Sequence, residues 1–357
     1  PRDPDNFPSM RYTKLGRTGL DVSRICLGTM TFGDQNTKAE GFAQMDYAVE
    51  RGINVFDTAE LYAVPPKPET QGSTERIIGD WFMERGQRDK IILATKIVGR
   101  TPNTWFRDGG VSGELNRAQI HEAVDKSLRR LKTDYIDLYQ LHWPDRAVSQ
   151  FGSNSTIFKP TTGPENPIPE ILDALDDVVK AGKVRFIGLS NESPWGTMSF
   201  LHAAETRGKP RVQSIQNAYS LVNRTFELGL AEIAMRENTG LLAYSPLAQG
   251  YLTGKYQNGA LPKGSRKQLY NRLQRYENPG AQAAFDAYLG LAAQVGLDPA
   301  QMALAFVLSR PFVTAAIVGA STLDQLKTNI DAIDLTLTEE LEQQINNIHL
   351  LHQNPCP

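Results

Sequence analysis

The stretch GINVFDTAELYAVPP, residues 52–66, joins an apolar run to a carboxylate and a tyrosine. Residues 53–56 are typical of a short strand that is buried on both faces. Asp57 stands at the end of this run, and Tyr62 follows five positions later. Burying a charge without a partner costs free energy. We therefore expect another part of the chain to bring a cation to Asp57.

Seven further runs of this kind alternate with amphipathic segments along the chain. The runs are SRICLG (23–28), IILATKI (91–97), IDLYQLH (136–142), FIGLSN (186–191), SIQNAYS (214–220), LLAYSPL (241–247) and AAIVGAS (315–321). Segments between them, such as RAQIHEAVDKSLRRL (117–131), carry apolar residues at three-to-four spacing, which indicates helices. Eight strands alternating with helices predict an α/β fold, a closed (β/α)8 TIM barrel of about 250 residues plus insertions. An open doubly wound sheet is disfavoured, because no G-x-G-x-x-G motif follows the first strand.

Three segments are expected to decorate the barrel. YTKLGRTGLDV (12–22) alternates around a GRTG turn and predicts an N-terminal β-hairpin placed to plug the barrel floor. Residues 100–113 and 144–169 are rich in Gly, Pro, Ser, Asn and Thr and follow the third and fourth strands. They should form long loops on the C-terminal face, where barrel active sites lie.

The domain boundaries follow from composition. No linker rich in Gly, Pro or Ser divides the chain, so we expect one domain. We expect a disordered leader at 1–9, the barrel at 10–346 and a C-terminal tail at 347–357.

Charge and cysteine content exclude several classes of protein. The formal net charge of −2 over 357 residues gives no basic footprint for nucleic acid or an anionic membrane. No apolar stretch approaches about 20 residues, so we expect no membrane span and, by default, a cytoplasmic location. Cys26 and Cys356 form no disulfide framework; we interpret Cys26 as core and Cys356 as an incidental tail thiol. The basic cluster at Arg129, Arg130 and Lys132 is interpreted as a solvated helix end.

Titratable residues stand at the ends of three successive strands. Asp57 ends the second strand, Lys96 lies near the end of the third, and His142 ends the fourth. In a barrel these positions converge on one face, and Tyr62 can reach the same place from its loop. Each residue alone is compatible with a polar strand cap; together they favour an active site.

These four side chains suit one reaction. A tyrosine hydroxyl, which titrates near pH ~10, is a poor acid at neutral pH. A lysine ammonium beside it lowers that pKa, and a carboxylate holds the lysine in place. A histidine can orient the substrate oxygen. A tyrosine tuned in this way protonates a carbonyl oxygen as hydride reaches the carbonyl carbon. In this interpretation Asp57 positions Lys96, and Lys96 tunes Tyr62.

The second half of the chain offers a place for a hydride donor. Ser190, Asn191 and Gln216 can hydrogen-bond an amide, and Tyr244 offers a flat ring on which a nicotinamide could stack. The segments SPLAQGYLTGKY (245–256) and KGSRK (263–267) supply cations for phosphates. VGASTLDQLKTNI (318–330) runs from the eighth strand into a helix whose N-terminus suits an anion.

The chain resembles the aldo-keto reductase family from about Met10 to Asn346. The motifs that carry the resemblance are LGTMTFG (27–33), GINVFDTAELY (52–62), LATK (93–96), LYQLHWP (138–144), GKVRFIGLSN (182–191), QNAYS (216–220), AYSPLAQGYLTGKY (243–256) and VGASTLDQLKTNI (318–330). The resemblance implies a (β/α)8 barrel that reduces small-molecule aldehydes or ketones with NADPH.

The resemblance also implies the site residues. The catalytic tetrad falls on Asp57, Tyr62, Lys96 and His142. The NADPH/NADP+ contacts fall on Thr29, Met30, Gln35, Asp57, Ser190, Asn191, Gln216, Tyr244, Ser245, Pro246, Leu247, Lys255, Arg266, Gly319, Ser321, Gln325 and Asn329. The substrate pocket is expected at Met30, Tyr62, Trp105, His142 and Trp143, with Phe106 as an alternative to Trp105 for closing over it.

Two features resemble those of particular branches of the family. AVPPKPETQGSTE (63–75) and HWPDR (142–146) are similar to the branch of bacterial Tas proteins. Gly319 and Gln325 stand where many NADPH-selective members carry a lysine and an arginine, which resembles the potassium-channel β-subunit branch instead. Recognition of the 2′-phosphate would then rest on Lys255 and Arg266, or on Lys327 if it turns inward. We expect NADPH, and whether NADH also serves stays open at this point.

Three functions stay open at this point. The first is a competent NADPH-dependent carbonyl reductase. The second is a regulatory protein that holds the cofactor and binds a partner, like the channel β-subunits, with residual reductase activity. The third is another barrel enzyme, such as an isomerase or metal-dependent lyase, which the dispersed histidines disfavour; we expect no metal. The oligomeric state also stays open, with a homo-oligomer among the alternatives.

Overall fold

The structure is a closed barrel preceded by a hairpin. The computed structural model describes residues 9–149, 154–160 and 162–357, so the expected leader lies outside the described residues except for Ser9. The hairpin pairs β1 (Tyr12–Lys14) antiparallel with β2 (Asp21–Ser23). The barrel strands are β3 (Ile25–Gly28), β4 (Val55–Asp57), β5 (Ile92–Ile97), β6 (Ile136–Leu141), β7 (Val184–Ser190), β8 (Val212–Ala218), β9 (Gly240–Tyr244) and β10 (Val313–Val318).

Parallel pairing closes the barrel. Each barrel strand pairs with its neighbours in the chain, and β10 pairs with both β9 and β3. Every residue of β6 and of β10 is buried. This agrees with the continuous apolar runs that strands covered on both faces require. The (β/α)8 prediction and the N-terminal hairpin are confirmed.

Helices follow the barrel strands in turn. They are α1 (Lys38–Glu50), α2 (Ser73–Arg85), α3 (Arg117–Leu131), α4 (Ile168–Lys180), α5 (Pro194–Arg207), α6 (Leu230–Glu237), α7 (Arg266–Tyr270), α8 (Ala281–Val295), α9 (Pro299–Ser309), α10 (Leu323–Asp331) and α11 (Glu339–Leu351). In the part of the chain that the structure describes, no single helix is long and apolar enough to cross a membrane; the bent pair of α8 and α9 reaches that length and composition only together, across a 100° angle.

The hairpin covers the lower end of the barrel interior. Leu15 and Val22 pack in one cluster with Cys26, Val55 and Ala94, which belong to three adjacent barrel strands. The cluster is buried, and Cys26 lies within it as expected. The polar strand ends at the opposite face are thereby separated from solvent below.

The structure corrects one sequence interpretation at the surface and part of a second. α11 runs across residue 346, and Cys356 is fully buried, with its backbone N–H donating to Val222 O at 3.1 Å. Cys356 is therefore a packed residue, not an incidental tail thiol. Arg129 and Lys132 are exposed as expected, but the Arg130 side chain is only 10% exposed, because its guanidinium lies 2.6 Å from the Glu75 carboxylate in the contact between α2 and α3.

Close packing of α2 on α3 makes Gly79 sensitive to substitution. A methyl group at Gly79 would lie 2.3 Å from the backbone oxygen of Arg130. Gly79→Ala should therefore destabilise the protein by about 1–3 kcal/mol, the usual cost of overpacking. Gly290 in α8 is the matched control, because nothing lies within 4 Å of its added methyl. Gly290→Ala should stabilise by up to about 1 kcal/mol. Urea unfolding measures both changes, and shifts of the same sign would contradict this packing argument.

Candidate active site

Strand register brings three titratable side chains to one place. In the parallel pairs, Asp57 lies opposite Ala94, and Lys96 lies opposite Gln140. His142 follows β6 directly, and its backbone N–H donates to Ile97 O at 2.8 Å. Because alternate residues of a strand face the same side, Lys96 and Gln140 point into the barrel above its apolar floor.

A buried ion pair forms the centre of the site. Lys96 Nζ donates to Asp57 Oδ2 at 2.6 Å, to Thr58 O at 2.9 Å and to the Tyr62 hydroxyl at 3.3 Å. The Lys96 side chain is fully buried and that of Asp57 is 4% exposed. Three acceptors around one ammonium satisfy all of its donors, which is the condition under which a buried charge is tolerated.

Two glutamines hold the other oxygen of Asp57. Gln140 Nε2 and Gln216 Nε2 donate to Asp57 Oδ1 at 3.1 and 2.9 Å, and Gln216 Nε2 also lies 2.9 Å from Gln140 Oε1. Sequence reasoning missed Gln140, although a polar residue two positions before His142 on an inward-facing register was a usable signal. Gln216, expected to bind nicotinamide, is also a support of Asp57.

The Tyr62 hydroxyl stays protonated. Burial raises the pKa of Tyr62 above its ordinary value of 10.0, the Asp57 charge adds to this, and the Lys96 ammonium offsets part of it. Lys96 lowers this pKa as expected, but burial is the larger effect, so the net pKa is raised. Burial also lowers the pKa of Lys96, but Asp57 and Tyr62 outweigh it and the pKa is raised. The pair is thus a neutral phenol beside an ammonium.

His142 is a neutral imidazole against the edge of Tyr62. The two rings are 5.7 Å apart in an edge-on arrangement. Burial, and next to it the Lys96 charge, hold the pKa of His142 well below its ordinary 6.5. Its Nδ1 is buried without a hydrogen-bond partner among the described residues. A neutral ring can orient a substrate oxygen without adding charge.

The residues expected around a nicotinamide lie together at the ends of β7, β8 and β9. The Tyr244 hydroxyl donates to Asn191 Oδ1 at 2.6 Å, and Asn191 Nδ2 donates to His142 O at 2.9 Å. Ser190 Oγ donates to Gln216 O at 2.8 Å. Arg275, which sequence reasoning missed, donates to the Tyr244 hydroxyl at 3.0 Å and fixes the ring from the segment after β9.

Two cations lie in the segment after β9 without an acidic partner. Among the described residues, no carboxylate approaches Lys255 or Arg266 within salt-bridge distance. Burial, followed by repulsion from Arg266, lowers the pKa of Lys255. Burial, followed by repulsion from Arg272, lowers that of Arg266. Cations that repel one another in a half-buried place are stabilised by a bound anion, so this donor set fits a phosphate. The expected contacts Ser245, Pro246 and Leu247 form the turn between β9 and this segment.

The start of α10 is organised by its own side chains. Ser321 donates from its backbone N–H and its hydroxyl to Gln325 Oε1, at 3.1 and 2.9 Å. Gly319 is exposed just before this turn, and Asn329 is buried on α10. Lys327 does not turn inward: its ammonium is 3.7 Å from Asp324 and its side chain is 47% exposed.

The loop after β3 borders the site on a third side. Thr29 Oγ1 donates to Asp57 O at 2.8 Å, and Gln35 Nε2 donates to Gly264 O at 2.9 Å. Gln35 thus joins this loop to the segment that carries Lys255 and Arg266.

Apolar side chains surround the Tyr62 ring. Ala59, Leu61, Val98 and Phe106 share one buried cluster with Tyr62, and Met30, Trp105 and Trp143 pack against it. The His142 and Trp143 rings are 5.1 Å apart. The structure therefore brings all the expected pocket residues together, with Phe106 as the more deeply buried partner of Trp105.

Comparison with known proteins agrees with this arrangement. The sequence profile of the Aldo/keto reductase family matches residues 24–349.

The chain belongs to the aldo/keto reductase family.

This aldo/keto reductase has relatives that align along nearly its whole length. It is 48% identical over 350 residues to Protein tas of Escherichia coli (strain K12), covering 98% of this chain and 100% of that protein. It is 36% identical over 340 residues to the uncharacterized oxidoreductase YrpG of Bacillus subtilis (strain 168), covering 95% and 96%. It is 31% identical over 342 residues to a probable voltage-gated potassium channel subunit beta of Arabidopsis thaliana, covering 91% and 92%. The protein is an oxidoreductase of a family that generally uses nicotinamide cofactors, and the likeness to the Tas branch is confirmed.

The protonation state of His142 gives a stability test. Its pKa lies well below 6.5 in the folded protein and returns to the ordinary value on unfolding, so the unfolded chain binds the extra proton. The stability that neutral His142 contributes is complete above a pH of about 6.5 and is lost as the pH falls, at up to about 1.4 kcal/mol per pH unit. His142→Gln should flatten this slope. Urea unfolding of both proteins between about pH 4.5 and 7.5 measures it, and equal slopes would show that His142 is not buried as a neutral ring.

Proposed function

We propose that the protein is an NADPH-dependent reductase that converts aldehydes or ketones to alcohols. The observation that carries the proposal is the buried Lys96 ammonium, 2.6 Å from Asp57 and 3.3 Å from the Tyr62 hydroxyl, beside the apolar cluster that surrounds the Tyr62 ring. A protonated phenol beside a fixed ammonium is a proton donor whose conjugate base is already stabilised.

Each member of the tetrad has one task in the proposed mechanism. A bound reduced nicotinamide supplies the hydride. Burial keeps the hydroxyl proton on the Tyr62 phenol at neutral pH. Tyr62 gives this proton to the substrate oxygen. Lys96 stabilises the phenolate that remains, and Asp57 holds Lys96 in place. Neutral His142 orients the substrate oxygen, since a charged imidazolium would compete with Lys96 for the phenolate.

The cofactor assignment rests on the donor sets at the strand ends. Ser190, Asn191 and Gln216 would hold the carboxamide of the nicotinamide, with the Tyr244 ring beneath it. Lys255 and Arg266 would hold phosphates, including the 2′-phosphate that distinguishes NADPH from NADH. Their lowered pKa values and the lack of a nearby carboxylate among the described residues support an anion at this place.

A second candidate function is a cofactor-holding regulatory subunit with residual reductase activity. The relative from Arabidopsis thaliana named as a probable potassium channel subunit beta favours it. The reductase proposal requires rapid release of oxidised cofactor after a carbonyl substrate is added. Cofactor that stays bound through purification and turnover would favour the regulatory subunit.

Tyr62→Phe tests the proton donor. The change removes the hydroxyl only, so kcat should fall by about 10²- to 10⁴-fold while the Kd for NADPH stays within about twofold. The matched control is Tyr139→Phe, since the Tyr139 hydroxyl is fully buried with no hydrogen-bond partner among the described residues. NADPH consumption with a panel of aldehydes, together with tryptophan quenching by NADPH, measures both quantities. Undiminished turnover in Tyr62→Phe would assign the proton to another group.

Cofactor preference tests Lys255 and Arg266. NADPH should quench tryptophan fluorescence at lower concentrations than NADH. Lys255→Met and Arg266→Met should each weaken NADPH binding by roughly 10- to 100-fold, as loss of a charged hydrogen bond does, and leave NADH binding nearly unchanged. Lys267→Met is the control, because the Lys267 ammonium already pairs with Glu277 at 2.8 Å. Equal affinities of the wild type for both cofactors would refute this reading of the 2′-phosphate site.

A further inference from the structure

A second buried ion pair lies next to the tetrad. The Glu60 carboxylate accepts two hydrogen bonds from the Arg107 guanidinium, Nη1 to Oε2 and Nη2 to Oε1, both at 2.8 Å. The side chains are 1% and 0% exposed, respectively. Two parallel hydrogen bonds of this kind fix the direction as well as the distance between the partners.

Glu60 belongs to the turn that presents Tyr62. Its backbone N–H donates to Lys96 O at 3.1 Å, and its Oε1 also accepts the Val98 backbone N–H at 2.9 Å. Along the chain Glu60 lies between Asp57 and Tyr62, and its backbone hydrogen bond joins this turn to Lys96. The Glu60 carboxylate is thus a fixed acceptor beside the turn that carries the proposed proton donor.

Arg107 belongs to the loop whose aromatic side chains pack against Tyr62 and its apolar neighbours. It follows Trp105 and Phe106 directly, and its guanidinium also donates to Phe106 O at 3.2 Å and to Gln119 Oε1 at 3.2 Å. Phe106 is 2% exposed and shares the buried cluster with Tyr62, while Trp105 packs against that cluster. The pair thus joins the aromatic cover of the pocket to the turn beneath it.

Stability alone does not require an ion pair at this place. Two ions taken out of water lose much of their attraction to desolvation, and apolar side chains of similar size often serve as well. What apolar packing does not supply is a fixed direction between a loop and a turn. The Glu75–Arg130 pair offers a comparison: it joins α2 to α3 at 2.6 Å, its carboxylate also accepts from Thr95 and Ser127, and none of these hydrogen bonds involves Tyr62.

We propose that Glu60 and Arg107 are positioning residues that set the separation between the aromatic cover, Trp105 and Phe106, and the Tyr62 hydroxyl. They thereby determine which carbonyl substrates are held against the acid. This inference rests on the proposed reductase function. Substrates with an aromatic or bulky apolar group reach the cover and depend on the pair; short aliphatic aldehydes do not.

The kinetic test replaces both partners, so that no unpaired charge stays buried. In Glu60→Gln/Arg107→Met, kcat/KM for an aromatic aldehyde should fall about 10-fold, mainly through KM, the order by which pocket contacts discriminate substrates. The kcat/KM for a short aliphatic aldehyde and the Kd for NADPH should each change by less than about twofold. Arg107→Lys keeps the charge and loses the paired geometry, so it should give an intermediate ratio. The control is Glu75→Gln/Arg130→Met, which should leave the ratio of the two aldehydes as in wild type.

A second measurement tests the positioning role without depending on enzymatic activity. Acrylamide quenching of Trp105, taken as the difference between each protein and its Trp105→Phe form, should increase in Glu60→Gln/Arg107→Met and stay unchanged in the control double variant. Unchanged quenching overturns the positioning role even if no carbonyl is reduced. Equal losses for both aldehydes, or the same loss in the control, would assign the pair to general stability. If the wild type reduces neither aldehyde but quenching increases only in Glu60→Gln/Arg107→Met, the proposed function is refuted and the positioning role is supported.

Discussion

The buried contact between Lys96 and Asp57 is the constraint on which the site depends. Neither charge would be stable inside the barrel alone, because desolvation of an ion costs far more than one hydrogen bond returns. The closed sheet solves this by supplying partners from separate strands: Thr58 O completes the shell of Lys96, while Gln140 and Gln216 complete that of Asp57. The hairpin beneath and the apolar residues above keep water away. The ion pair therefore depends on the closed barrel.

The ion pair fixes the protonation of its neighbours. Burial raises the pKa of Tyr62, so the proton stays on the phenol, and the Lys96 charge limits that rise. The same burial and the same charge lower the pKa of His142, so its ring stays neutral. A protonated acid and a neutral orienting group thus coexist within one small volume. Both states follow from one ammonium in a place with little water, and neither requires a further titratable group.

Local sequence patterns predict much of this structure. The features that they do not predict depend on contacts between residues far apart in the chain. Apolar runs ending in polar residues predicted that the tetrad lies at one face, because the carboxyl ends of all barrel strands meet there. Gln140 is a polar residue in an apolar strand, and its role can be predicted only once the strand register shows that it points into the barrel. The partners Glu60 and Arg107 are 47 positions apart, and nothing local links them. Arg130 and Cys356 were misread for the same reason: burial depends on which distant helix or loop packs over a residue.

The central claim is that the tetrad serves direct hydride transfer to a carbonyl. The most direct measurement is a single turnover with NADPH deuterated at the transferring position of the nicotinamide and an aldehyde that the protein accepts. The account predicts one deuterium on the carbinol carbon of the alcohol, with the hydroxyl proton drawn from solvent through Tyr62. Deuterium released to water, or NADPH left unoxidised while bound beside an aldehyde, would contradict it.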